Sequence, residues 1–288
     1  MSLTKTNFVP PTMLLDSVTK NQAGKRLTCF KLRYPKMVHG DFMTHRVFSR
    51  NASSSRAIPT MRLAAVDMYV PDFRVNKSGM QPGAYLTDED QSLAEDIWRS
   101  AASQCLHAAN TLANARGLNV HKQWTNRMLE WFGYINVIVS ATDYLNFIGL
   151  RTELDEAMNP MAQDEIYFQA EGIRALLASH EPTRLNDGEW HLPLILDEER
   201  AMPTKDLLWI SAARCAGISY ETVDGQPMTI DRAKKVCNKL LTSRRVHASP
   251  FEHQGMADPF NRHPELHGNF TGWIQHRKML PNECIKRE

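Results

Sequence analysis

The chain has 288 residues, 42% hydrophobic and 23% charged, with a formal net charge of +2. That length buries a sizeable core, as one large domain or two intimately joined ones. So small a net charge argues against nucleic acid or an anionic membrane as partner, and no apolar run approaches the ~20 residues of a membrane span. Nothing near the N-terminus reads as a signal peptide. The five cysteines, Cys29, Cys105, Cys215, Cys237 and Cys284, are odd in number and contain no C-x-x-C. Neither a disulfide framework nor a zinc site is indicated, and a reducing cytoplasm fits.

In chain order, Arg26 to Tyr34 (RLTCFKLRY) is rich in β-formers and stops at Pro35, which predicts a strand. Next comes the stretch from Thr44 to Arg56, THRVFSRNASSSR, polar except for Val47, Phe48 and Ala52. Ser53, Ser54 and Ser55 offer hydroxyls and small-residue N–H groups for an anion nest, and Arg46 and Arg56 carry forks that match phosphate or carboxylate oxygens. On composition alone, a polar turn between strand and helix is the alternative. Met61 to Tyr69 predicts a short helix, and Val70 to Gln81 a Pro/Gly/Asn loop. Thr87 is read as the cap of a long helix to about Ala115, with Asp88, Glu89 and Asp90 in its first turn and Gly117 as its stop. Leu93, Ile97, Ala101, Leu106 and Leu112 are read as its buried stripe. A second helix from about Val120 carries Arg127, which taken alone is a solvated charge.

Tyr134 to Ala141 (YINVIVSA) suits a buried strand or the start of a core helix. Asn159-Pro160 predicts a helix start, with Asn as cap and Pro in the first position. From Ser179 to Lys205, HEPTRLNDGEW and LDEERAMPTK mark a junction between 1–178 and 206–288, within one intimately joined globular unit. A helix follows from about Ile230 to Leu241. Neither G-x-G-x-x-G, G-x-x-x-x-G-K-[ST] nor G-x-S-x-G occurs. His263 to His267 (HPELH) is no zinc helix, because Pro264 sits inside the turn, and His247 and His253 lack a further ligand cluster, so no metal is expected.

The polar stretch contains HR-x-x-S-x-N-x-x-S-x-R: His45, Arg46, Ser49, Asn51, Ser54 and Arg56. This resembles the signature of the flavin-dependent thymidylate synthases, RHR-x-x-S-x-N-E-x-S-x-R. Thr44 replaces the first Arg of that pattern and Ala52 its Glu. FKLRYP resembles the family's F-x-I-K-x-P strand, VPDFRVNKSGMQPG the loop after its signature, NFIGLR (Asn146 to Arg151) its N-F-x-x-L-R, and NPMAQDEI its A-Q-x-E-I. Ser140, Ala141 and Thr142 stand at the family's N-A-R, so a flavin-phosphate Arg is lost there. Ala212, Ala213 and Arg214, and HASPFEH (His247 to His253), resemble flavin-binding blocks that precede the signature in the family and follow it here, an order that implies circular permutation. GWIQHRKMLPNE (Gly272 to Glu283) is similar to a second, degraded signature copy.

The resemblance implies an α/β fold, a sheet flanked by long helices, in a homo-oligomer (dimer or tetramer) with sites between subunits. The implied reaction is reductive methylation of dUMP to dTMP with FAD as cofactor and NADPH and methylenetetrahydrofolate as co-substrates. Ser54, Ser55, Arg56, Arg127 and Arg151 are then substrate residues, with Ser54, Arg56 and Arg151 at the chemistry. His45, Arg46, Asn51, Asn146, Ser249, Glu252, His276, Arg277, Asn282 and Glu283 are flavin residues. The two signature copies are expected to meet, with His45, Ser54, Arg56 and Arg151 facing Arg277 and Glu283, and the 179–205 segment is expected to be a surface connection. A pyrimidine nucleotide hydroxymethylase, or a non-catalytic nucleotide- or flavin-binding homologue, is the alternative.

Overall fold

A computed structural model describes residues 8–20, 26–57, 68–79, 81–114, 118–218, 225–243, 246–281 and 283. The helix expected from Met61 falls almost entirely outside the described residues, as do Ala115, Gly117, Asn282 and Cys284.

Five strands form the main sheet: β1 (Thr12–Thr19), β2 (Leu27–Pro35), β3 (Ser49–Ala52), β4 (Tyr134–Ala141) and β5 (Thr183–Leu185), in the order β3-β4-β2-β1-β5. All neighbours are antiparallel except β1 and β5. The expected strand at 26–34 is β2, and the choice left open at YINVIVSA resolves as β4, whose partner in the sheet centre is β2. Six of the eight β4 residues are buried, which is why the sequence there is continuously β-branched rather than alternating. A small antiparallel sheet follows: β6 (Trp190–His191), β7 (Gly255–Ala257) and β8 (Trp273–Gln275). Gly255 lets it approach β2 closely, since a Cβ there would lie 2.7 Å from the Leu27 side chain.

The α-helices among the described residues are α1 (His39–Met43), α2 (Asp88–Asn114), α3 (Lys122–Thr125), α4 (Leu145–Arg151), α5 (Asp164–Ser179), α6 (Thr204–Gly217) and α7 (Ile230–Thr242). One face of the main sheet packs Phe30, Leu32, Val137 and Val139 against Phe147 of α4 and Ile166 and Ile173 of α5. On the other face Cys29 and Ile138 meet Leu194, Cys215 and Ile218, which brings the end of α6 across the sheet. Ile210, Ala213, Ala233, Cys237 and Phe251 join α6 to α7. The fold is therefore a mixed α/β architecture with helices on both faces of a sheet.

Thr87 does cap α2, its Oγ1 accepting from the Asp90 N–H at 3.2 Å. The stripe expected on that helix is corrected: Leu93 and Ile97 are 61% and 63% exposed and Ala101 is exposed, whereas Ala102 and Ala109 are buried. Apolar residues populate both faces of α2, and the tryptophan decides between them. Trp98 packs on Phe73 and Phe132 and donates to the Tyr69 carbonyl at 2.8 Å, which turns the small residues inward. Asn159-Pro160 is also corrected, since α5 begins at Asp164. Asp155 Oδ1 accepts from the N–H groups of Ala157 and Asn159 at 2.9 and 2.8 Å, and Pro160 bridges to Leu154, so the pair closes a tight loop instead of opening a helix.

Asp164 itself anchors the 70–85 loop. It accepts from Arg74 at 2.8 and 3.1 Å and from Tyr85 Oη at 2.9 Å, with the Arg74 side chain 6% exposed. Asp164→Ala strands a buried guanidinium, at a cost of about 3–5 kcal/mol. Its melting temperature is expected to fall by about 10 °C. A loss of one or two degrees in a thermal melt would show that the pair is not holding the loop.

Candidate active site

The loop after α1 delivers His45 into an aromatic basin. Its ring stacks on Phe48 (centroids 5.8 Å apart) and meets the edge of Phe147 at 4.9 Å. Phe42 and Tyr144 close the surrounding wall. Arg151, the last residue of α4, donates from Nε to His45 Nε2 at 3.3 Å. The accepting nitrogen carries no proton in that arrangement, and the environment agrees: burial, then the Arg151 and Arg50 charges, push the His45 pKa below its ordinary value. Arg50 points back across α1, donating to the carbonyls of Met43 at 2.9 Å and His45 at 3.1 Å. Arg46 and Arg56 are exposed. None of Arg46, Arg50, Arg56 or Arg151 forms an ion pair with a carboxylate among the described residues. The Glu252 charge bears on Arg50 from a distance, which leaves Arg46, Arg56 and Arg151 as the guanidinium groups of this stretch without a carboxylate partner among the described residues, a charge pattern suited to anions.

The serine run divides. Ser53 pairs with Asn136 (N–H to carbonyl, 2.8 Å), Ser54 is exposed, and Ser55 is buried with its hydroxyl on Glu130. Lys36 Nζ donates to Glu130 at 2.7 Å, and Arg127 stands 3.7 Å away. Burial opposes ionisation of Glu130, but the Lys36 and Ser55 contacts outweigh it and hold its pKa below the ordinary carboxylate range. Glu130 thus takes up cationic and hydroxyl groups that the sequence offered to a phosphate. Arg127 lies 58% exposed on a 3₁₀ turn, as its solvated reading expects. Asn146 is exposed on α4.

The C-terminal blocks come back to this loop. Asn51 donates to the Cys215 carbonyl at 2.7 Å and accepts from Ser249 Oγ at 3.2 Å. Gln275 donates to Ser49 Oγ at 3.0 Å and to Asn269 Oδ1 at 2.8 Å, while Asn269 donates to the Val47 carbonyl at 2.9 Å. Arg277 is held by Glu252 and, at 2.8 Å, by Glu283, which also takes Lys278 at 2.7 Å. Burial raises the Glu252 pKa against the pull of Arg277. The described parts of the two signature-like stretches therefore meet within one chain through Ser49 and Gln275. No hydrogen bond or ion pair links Ser54 or Arg56 to Arg277 or Glu283 among the described residues.

A flavin's pyrophosphate fits the first stretch, where Arg46 and Arg56 are exposed and have no carboxylate partner among the described residues. It does not fit Arg277, whose charge is already matched by two carboxylates. Arg214, in the second flavin-like block, is likewise spent on Glu199 at 2.6 and 2.8 Å.

No protein-family model matches the sequence, and no curated protein matches it. Solved structures do resemble the chain in part. One is a UMP/dUMP methylase PolB from Streptomyces cacaoi bound with 5-Br UMP, at 16% identity and a TM-score of 0.47, covering 58% of this chain and 88% of that one. Another is the flavin dependent thymidylate synthase ThyX from Helicobacter pylori complexed with FAD and dUMP, at 14% identity and a TM-score of 0.34, covering 51% of this chain and 66% of that one.

Sequence reasoning passed over Arg50, Asn269 and Gln275, though each is a long polar side chain amid residues with obvious roles. It also treated the departures from the family pattern as losses. Each has a local use: Thr44 Oγ1 donates to the Asp41 carbonyl at 2.7 Å, Ala52 pairs with Val137 in the sheet, and Thr142 Oγ1 accepts from the Thr271 N–H at 3.1 Å.

Proposed function

We propose that this chain is a flavin-dependent thymidylate synthase-like enzyme that methylates dUMP to dTMP, with FAD as cofactor and methylenetetrahydrofolate and NADPH as co-substrates. The observation that carries this reading is the Arg151 guanidinium, without a carboxylate partner among the described residues, set on a neutral, aromatic-walled His45 in a sequence that resembles the family signature. FAD, when bound, supplies the hydride relay from NADPH to the transferred carbon. Arg151 serves the pyrimidine: its guanidinium, oriented through Nε by His45, stabilises negative charge as it develops on the ring. Phe48 and Phe147 keep water from that contact. Ser54 and Arg56, both exposed, take the nucleotide phosphate, and Arg46 and Arg50 supply positive charge for FAD. The 206–288 half supports the flavin side indirectly, with Arg277, Glu252 and Glu283 fixing the turn that carries Gln275.

Exposed apolar residues rim this site, with Leu145, Leu150 and Val47 at 80%, 55% and 53% exposure. A second copy of the chain covering that rim suits them better than water, so the working form is a homo-oligomer. Incubating purified protein with dUMP, methylenetetrahydrofolate and NADPH, and weighing the product, tests the reaction. Methyl product supports it. A hydroxymethyl product would favour the sister reaction, for which the changes at Thr44, Ala52 and Thr142 speak. Colourless protein with no band near ~450 nm even after reconstitution with FAD would defeat both.

Arg56→Ala is expected to weaken the nucleotide by about ten- to a hundredfold, the loss of one charge-assisted contact, with FAD retained. Equal loss of both would mean that the loop had unfolded. Glu252→Ala is expected to release FAD while titration still detects nucleotide binding; full flavin content in this variant would remove the C-terminal half from the flavin site.

A further inference from the structure

Between α6 and α7, beneath the turn at Ser249–Glu252, lies a cavity of about 190 Å³. Trp209, Leu241, Phe251 and Leu280 wall it, and Lys205 and His276 complete the lining. Its size is informative: an apolar cavity of ~150 Å³ holds benzene, so this one admits a single ring with small substituents. Three fused flavin rings ask for more room.

One charged group breaks the apolar wall. Trp190 and Phe251 meet the His276 ring edge-on at 5.8 and 5.5 Å and fix it in place. Its Nδ1 is buried without a hydrogen-bond partner among the described residues and presents no surface to the cavity, so the imidazole lines it as a ring and not as a hydrogen-bonding group. Burial lowers the His276 pKa to about 4, so the ring is neutral at pH 7 and adds no charge to the lining. Lys205 is exposed in the first turn of α6 and forms no ion pair among the described residues. The adjacent Asp206 is already matched by Lys234 at 3.2 Å, so the mouth keeps one positive charge.

We propose that this cavity binds a single-ring aromatic monoanion, its ring against Trp209, Leu241 and Phe251 and its carboxylate at Lys205. This does not depend on the nucleotide and flavin reading. The probe is 4-hydroxybenzoate, titrated calorimetrically into the full chain, with FAD content measured on the same preparations. Saturable one-to-one binding is expected, weaker by at least tenfold for uncharged 4-hydroxybenzamide and for Lys205→Gln, and absent in Leu241→Trp, whose indole fills the space. Lys205 is exposed, so that variant keeps its fold and circular dichroism verifies it. No binding to the unaltered protein, or equal binding in Leu241→Trp, overturns the proposal. Binding of the probe by protein that never takes up FAD supports the cavity and defeats the flavin reading alone.

Discussion

Lowering the pH from 7 to about 4.5 is expected to strip the protein of about 5 kcal/mol of stability, most of an ordinary folding free energy. The source is a pair of fully buried histidines. His191 of β6 shares a hydrogen bond with Ser17 of β1 at 2.9 Å, and His253 shares one with Ser140 of β4 at 3.0 Å. Each imidazole fastens a C-terminal element to the main sheet. Burial pushes both pKa values to about 3, against an upward pull on His191 from the Asp16 carboxylate. The folded state holds these rings neutral, whereas the unfolded chain protonates them near pH 6.5. Their contribution is therefore complete above pH 6.5 and is lost as pH falls towards 3, at roughly 2–3 kcal/mol each by pH 4.5. Carboxylates with lowered pKa values, such as Asp16, give way only below their ordinary range, so the histidines act first. Melting temperature measured across this window should drop steeply in the parent chain and less steeply in His253→Gln. A flat profile between pH 7 and 4.5 would refute the account.

Arg151→Ala is expected to lower turnover by about 10²–10³-fold while nucleotide affinity changes little, as happens when a donor that strengthens in the transition state is removed. Because Arg151 lies beside a neutral His45, the variant leaves no buried charge behind, and its fold should survive. Steady-state kcat and KM separate the possibilities: a raised KM with kcat unchanged would reduce Arg151 to simple binding. His45→Phe keeps the aromatic packing but removes the acceptor, and it should show a smaller loss of kcat.

Local signals made much of the frame legible. The β2 run, the Thr87 cap and the helix from Ile230 announce themselves through composition and punctuation within a few residues. Where two readings competed, a distant contact chose. Trp98 chose the inner face of α2 through Tyr69, and Asp155 drew Asn159-Pro160 into a loop. The anion-binding character of Thr44 to Arg56 was visible as residue types. That Ser55 would turn inward was not, because Glu130 lies 75 residues away and nothing local marks it as the partner. Arg277 looked available for a ligand although Glu283, one of its two carboxylates, lies six residues on in the same stretch; the other, Glu252, comes from a separate block 25 residues earlier.

The bonds that seat the guanidinium loop span 198 residues from Asn51 to Ser249 and 226 from Ser49 to Gln275. A ribosome adds roughly 5–20 residues each second, so roughly 10–45 s of translation separate emergence of Ser49 from that of Gln275. Once Arg151 has been added, the nascent chain holds β1 to β4 and the helix that sets Arg151 on His45, with the Asn269 and Gln275 amides that fix the loop still unmade. Premature termination between Leu185 and Gln275 leaves a polypeptide that owns its largest sheet and lacks the last fastening of its site.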